Sequence, residues 1–221
     1  MSHDRDKSNH LRRLIRQATF SDPSACLENV EYLPDRNLKQ EELLRLGSCN
    51  YVHERHNVIF LGATGSGKTY LACALGMAAV RQFLPVKYIR LPDLLVDFSI
   101  ARGNGTIRKL MTQYKKYSLL IIDEWLLLKP SEEEARVIFD LLHKRRERSS
   151  TIFCSQYHQN EWYDQLGGEE NPLSDAILDR IIHDSYEINI TSVTPDKDIS
   201  MREVYGLKNK EQEGKYGEAG E

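Results

Sequence analysis

The sequence predicts an α/β fold, a parallel β-sheet with helices on both faces, and three observations carry that prediction. Short apolar runs alternate with longer helical patterns from residue 58 to residue 190. The first run feeds a glycine-rich loop, Gly62-Ala-Thr-Gly-Ser-Gly-Lys-Thr69. A later run, Leu119-Leu-Ile-Ile122, ends in two acids, Asp123 and Glu124. At 221 residues the chain makes one ordinary domain with extensions, long enough for a sizeable core.

Residues 1–9 are polar and are expected to be disordered, and residues 11–16 read as the end of a helix. Two short helices are expected over 24–27 and 38–46, with Pro34 between them and Gly47 as a stop. Cys49, His53 and His56 read as part of a polar loop; as metal ligands they would lack a fourth partner and fit no common zinc spacing. Residues 58–61 form the first strand and 68–83 a helix rich in Ala and Leu. Residues 86–90 are the second strand, and Pro92 sits in the first turn of a helix reaching residue 101. Gly103 and Gly105 break the chain before a helix over 106–116. Residues 119–122 are the third strand. Ser131 and Glu134 form a capping box opening a helix to residue 148. Strands follow at 151–154 and 186–190, with a helix over 174–184 between them. Trp162 and Tyr163 read as core aromatics. From Lys208 onward almost nothing is apolar. The expected organisation is an extension over 1–50, a nucleotide-binding domain over 51–207 and a disordered tail over 208–221.

Lys and Arg total 30 against 33 Asp and Glu, for a net charge of −3. No global basic excess announces nucleic acid, so such a partner needs a local patch. The four cysteines lack any C-x-x-C pair and read as reduced thiols. No apolar run approaches bilayer length and the N-terminus is polar, so a soluble, cytoplasmic protein is expected, away from membranes.

The loop fits G-x-x-x-x-G-K-[ST] between a strand and a helix, the context that motif requires. Glycines let backbone N–H groups face phosphate oxygens, and the helix N-terminus adds its positive dipole end. The nucleotide-binding set is Gly62, Ala63, Thr64, Gly65, Ser66, Gly67, Lys68, Thr69, Tyr70 and Asp123. Lys68 would reach the β- and γ-phosphates of ATP, and the Thr69 hydroxyl and Asp123 would hold Mg²⁺. Gly62, Gly65 and Gly67 also echo a dinucleotide loop, but Lys68-Thr69 has no role in that fingerprint. Glu124, just beyond the strand, would polarise the attacking water. Ser155 and Gln156, at the end of the fourth strand, are candidates to align that water, or form a plain strand-end turn.

The two nucleotide motifs join Tyr70-Leu-Ala-Cys-Ala-Leu-Gly76, Ile122-Asp-Glu-Trp125, Thr151-Ile-Phe-Cys-Ser-Gln156, Asp175-Ala-Ile-Leu-Asp-Arg-Ile-Ile-His-Asp184 and Ser200-Met-Arg202. In this wording, over about residues 10–207, the chain resembles the IstB-like proteins. These are AAA+ helper ATPases of insertion-sequence transposases, related to the DnaC helicase loaders. The resemblance implies a P-loop NTPase of ASCE type with sheet order 5-1-4-3-2, ATP-dependent homo-oligomeric assembly on duplex DNA, and a transposase partner. A replicative helicase is the partner in a loader, the first alternative. A small-molecule kinase is the second, though neither an acceptor pocket nor a basic lid is evident. The family carries a longer helical N-terminal domain, and no full AAA+ helical lid is evident after Ile190. The resemblance also implies that Arg180 reaches a neighbouring subunit's ATP; the plain reading is a local ion pair or an exposed end. Arg90, Arg102, Arg108, Lys109, Lys115 and Lys116 lie where such ATPases face DNA; the plain reading is a solvated helix face. The basic run 143–148 reads as a complement to the dipole of its own helix.

Overall fold

Strands β1 (Asn57–Leu61), β2 (Val86–Arg90), β3 (Leu119–Asp123), β4 (Ser150–Ser155) and β5 (Ser185–Asn189) form one sheet in the order β2-β3-β4-β1-β5. Every neighbouring pair is parallel. This is the expected order, read from the other edge. The computed structural model describes residues 2–33 and 36–190. Pro34, Ser200-Met-Arg202, the tail from Lys208 and the lid region after Ile190 lie outside them.

Period-two alternation divides the sheet's side chains between two cores. Val58, Phe60, Val86, Tyr88, Leu119, Ile121, Ile152 and Cys154 face one layer; Ile59, Leu61, Ile89, Leu120, Ile122 and Phe153 face the other. The first layer holds α1 (Ser2–Ala18), α2 (Gln40–Gly47), α3 (Asn50–Glu54) and α4 (Lys68–Arg81). The second holds α5 (Leu91–Gly103), α6 (Ile107–Lys115), α7 (Glu132–Arg145), α8 (Gln159–Gln165) and α9 (Ser174–Ile182). Helix α4 is apolar nearly all round because the sheet covers one side and the N-terminal segment the other. Gly76 makes that possible: a Cβ there would meet the Phe20 ring at 2.5 Å and Ile121 at 2.8 Å.

Several expectations change. Residues 2–9 are helical, as the start of α1, whose Leu14 and Ala18 are buried beside β2 and α4. The core also crosses the boundary expected at residue 50, since Leu14, Ala18, Phe20, Leu43 and Leu46 share one cluster with α4 and the sheet. The helix expected over 24–27 is a single 3₁₀ turn at Leu27–Asn29. Helix α3 replaces part of the expected polar loop. Cys49 is buried at its start with the thiol on the Gly47 carbonyl, and His56 rests on the Tyr186 ring. Helix α8 was not expected. Its start is closed by the Glu161 carboxylate, which accepts from the His158 N–H at 2.8 Å, with no Ser or Thr at the cap. It buries Trp162 against Trp125 and Phe153, as the core reading of that residue requires, while Tyr163 is half-buried.

Helix α7 opens on the expected capping box but ends at Arg145 rather than 148. The cause is Arg145 itself, 1% exposed inside the basic run. Its guanidinium donates to the carbonyls of Tyr114 (2.7 Å), Tyr117 (2.9 Å) and Ser150 (2.6 Å) and to the Thr151 hydroxyl (3.3 Å). Burial pulls its pKa down to about 9, which still leaves it charged at neutral pH. Arg145 therefore ties the starts of β3 and β4 together and is no surface cation. Arg145→Ala strands three carbonyls and should lower stability by about 2–4 kcal/mol. Arg145→Lys should recover only part, because one ammonium cannot match the fork. Urea unfolding of the three proteins checks both.

Candidate nucleotide site

The loop 62–69 leaves the carboxyl end of β1 and enters α4. Gly67 holds the left-handed turn into the helix, φ 98°, and a Cβ on Gly62 would sit 2.7 Å from the Ser66 hydroxyl. The N–H groups that open an α-helix have no carbonyl one turn back within the helix, and α4 opens on the loop. They aim a cluster of donors and the positive dipole end at the loop's concavity, which suits an anion. Lys68 Nζ donates to the carbonyls of Gly62 and Ala63, both at 2.7 Å. The Tyr70 side chain turns the other way, its hydroxyl on the Cys26 backbone, so Tyr70 serves the loop through its main chain.

Asp123 ends β3 beside this loop and is almost fully buried. Its Oδ2 accepts from Thr69 Oγ1 at 2.7 Å and from Tyr88 Oη at 2.8 Å, and its Oδ1 from the Glu124 N–H at 2.8 Å. Burial and the neighbouring carboxylate push the Tyr88 phenol well above its usual pKa, so Tyr88 remains a donor. The next residue turns sharply: Glu124 has φ 53° and carries its carboxylate outward to Arg90 Nη1, at 3.3 Å. Arg90 also grips Asp93 at 2.8 and 3.0 Å.

Strand β4 lies between β3 and β1, which brings its end to the loop. The expected pair there separates. Gln156 reaches the loop and accepts from Thr64 Oγ1 at 3.1 Å. Ser155 does not: it is 1% exposed, donates to the Trp125 carbonyl and accepts from Trp162 Nε1 and the Tyr157 N–H. Its hydroxyl is used up in packing beneath the site, which corrects the expectation that it aligns water.

Arg180 lies elsewhere. Its carbonyl accepts from Asn57, at the start of β1, whereas the loop leaves the end of that strand. It does not pair with Asp179, which Arg146 takes; its guanidinium stacks 4.2 Å above the Phe139 ring. Two of the six cations expected to face DNA are also committed, Arg90 as above and Arg102 to Glu133. Arg108, Lys109, Lys115 and Lys116 stay exposed on α6 and its end. The sequence reading missed Tyr88 and Arg36. Arg36 Nη1 donates to the Ser66 carbonyl at 2.7 Å and fastens the N-terminal segment to the loop. Both act over long sequence separations, where no local pattern marks them. Among the described residues no three His, Cys, Asp or Glu side chains converge on a metal site, and no helix is long and apolar enough to cross a membrane.

The sequence profile of the IstB-like ATP binding protein family matches residues 2–202. The protein named as insertion sequence ATP-binding protein y4pL of Sinorhizobium fredii is 36% identical over 169 residues, 76% of this chain and 67% of that one. The protein named as ATP-binding protein of insertion sequence IS1162 of Pseudomonas fluorescens is 37% identical, over 66% of this chain and 63% of that one. The chain thus spans about two thirds of the length of these relatives. In fold it is similar to AMPPCP-bound DnaA of Aquifex aeolicus, with a TM-score of 0.67 at 21% identity over 87% of this chain and 56% of that one. It is also similar to the DnaC helicase loader, with a TM-score of 0.60 at 18% identity over 75% and 96%. The loop between β1 and α4, the acid pair after β3 and the match over 2–202 together make this chain a member of the IstB-like ATP-binding proteins, built on the AAA+ P-loop fold.

Proposed function

We propose that the chain hydrolyses ATP to ADP and phosphate while assembled on duplex DNA, as helper to the transposase of an insertion sequence. The observation that carries the hydrolytic reading is the pair Asp123–Glu124 set against the loop: one carboxylate buried and tied to Thr69, the next turned outward. The insertion-sequence names of the relatives favour a transposase over a replicative helicase as partner. A small-molecule kinase is disfavoured by the same kinship.

The Thr69 hydroxyl and Asp123 carboxylate, 2.7 Å apart, are hard oxygen donors that fit Mg²⁺, and these two residues would hold it. Bound there, the ion would neutralise charge on the phosphates. The backbone of 62–70 orients the phosphates, and Lys68 supplies a cation to the β- and γ-groups. Glu124 polarises the attacking water, with Gln156 beside Thr64 to align it. Arg180, remote from its own loop, serves the nucleotide of a neighbouring copy, where an inserted arginine is worth about 10³–10⁵ in rate. Arg108, Lys109, Lys115 and Lys116 contact DNA phosphates without reading sequence.

Three measurements test this reading. Lys68→Ala should lose binding of a fluorescent ATP analogue. Glu124→Gln, which keeps shape and removes charge, should bind ATP as the parent does while turnover with duplex DNA falls at least a hundredfold; parental turnover would remove Glu124 from the mechanism. Mixing Lys68→Ala with Arg180→Ala on DNA should recover part of the activity, because the first lends Arg180 to the intact site of the second. If both assemble and the mixture stays as inactive as each alone, Arg180 does not act between copies.

A further inference from the structure

We propose that helix α1 is a second duplex-DNA contact surface, an arginine face that holds the phosphate backbone independently of α6. The inference rests on the DNA association proposed above. Arg5, Arg12, Arg13 and Arg16 are all exposed on α1. At about 100° per residue, Arg5, Arg12 and Arg16 fall within roughly 40° of one another and Arg13 lies about 60° further round. Leu11, Leu14, Ile15 and Ala18 turn the opposite side into the core. Asp6, an exposed acid on the helix, lies on the Arg13 flank.

None of the four arginines has a carboxylate within 4 Å among the described residues. That contrasts with most arginines elsewhere. Arg81, Arg90, Arg102, Arg136 and Arg146 are ion-paired, Arg36 and Arg145 donate to carbonyls, and Arg45 and Arg180 stack on rings. Arg55, Arg108 and Arg148 also lack a carboxylate within 4 Å among the described residues, but no two of them share a helix. In a chain with more acids than bases, α1 is where guanidinium groups stand together uncompensated. The placement adds a second argument. The end of α1 is fastened to the edge strand: Thr19 donates to the Tyr88 carbonyl at 3.1 Å and accepts from Lys87 at 2.9 Å. Helix α1 therefore flanks β2 on one face of the sheet, while α6, with Lys115 and Lys116 at its end, packs on the other face and leads into the adjacent β3. The two basic surfaces bracket one edge of the domain. Arg5 to Arg16 covers about 16 Å of helix, enough to meet several phosphates of one strand. The planar fork of arginine suits phosphate oxygens.

The test measures anisotropy of a labelled duplex of mixed sequence across a salt series, using the full chain with an ATP analogue. The variants are Arg5→Gln/Arg12→Gln/Arg16→Gln and, separately, Lys115→Glu/Lys116→Glu. The triple variant should bind at least tenfold more weakly at about 0.1 M salt, and its salt slope should flatten by roughly two to three units, one per lost phosphate contact. Its thermal midpoint and ATP-analogue affinity should match the parent's, and Arg12→Lys/Arg16→Lys should keep the parental slope. A parental slope in the triple variant overturns the proposal, whether or not the lysine variant flattens. If the parent itself binds no duplex at any salt, the DNA reading falls, and this inference with it.

Discussion

Asp123 is a nearly buried carboxylate, and a buried carboxylate is tolerated only when donors surround it. Its three donors come from three different elements: Thr69 from α4, Tyr88 from β2, and the main chain just past β3. Satisfying one charge thus fixes the height of α4 above the sheet, and with it the loop that opens that helix. It also decides what Glu124 can do. The Glu124 N–H is turned back onto Asp123, so its residue takes a left-handed conformation and its side chain leaves the core for Arg90. Two neighbouring acids acquire opposite environments because the first consumes the second's backbone donor.

The other end of the sheet is held by a buried cation. Arg145 binds carbonyls just before β3 and at the first residue of β4, so these strands are tied where they begin. Ser155 ties β4 where it ends, by joining the Trp125 carbonyl to the indole of Trp162. With β4 fixed at both ends between β3 and β1, Gln156 emerges beside Thr64 as a consequence of strand order and register. A polar side chain used for packing, Ser155, and one that reaches the loop, Gln156, are adjacent in sequence here, and burial separates them.

The legible parts of the site are those whose chemistry is local. Gly62 to Thr69 must be contiguous to curl around phosphates, and Asp123–Glu124 must end a strand, so both were readable from spacing alone. The strand order was readable only through kinship. Tyr88, Arg36 and Arg145 were not readable, since each acts through contacts from about 28 to 35 residues away or depends on which segments pack together. Arg145 was hidden within a run whose exposed members do follow the helix dipole. Helix α8 escaped because it is short and no Ser, Thr, Asp or Asn stands at its cap, where only the Glu161 carboxylate closes back on the His158 N–H. Helix α1 escaped because its first turns are polar, and their order comes from continuity with the buried turns of Leu14 and Ala18.

The division of labour along the sheet bears on the proposed function. The loop, Asp123 and Glu124 gather at the carboxyl ends of the strands; Arg180 sits at the opposite end of β1, about 17 Å of strand away. No side-chain rotation closes that distance, so an arginine acting at a nucleotide from this position acts on another copy's. Stacking on Phe139 restricts the guanidinium beforehand and lowers the entropy lost on insertion. Activity then depends on adjacency of copies, and adjacency is opposed by a net charge of −3 on each. A polyanion laid against basic faces offsets more than that repulsion only if it contacts every copy in the row. Placing cations on both sides of one sheet edge lets the same duplex touch each copy.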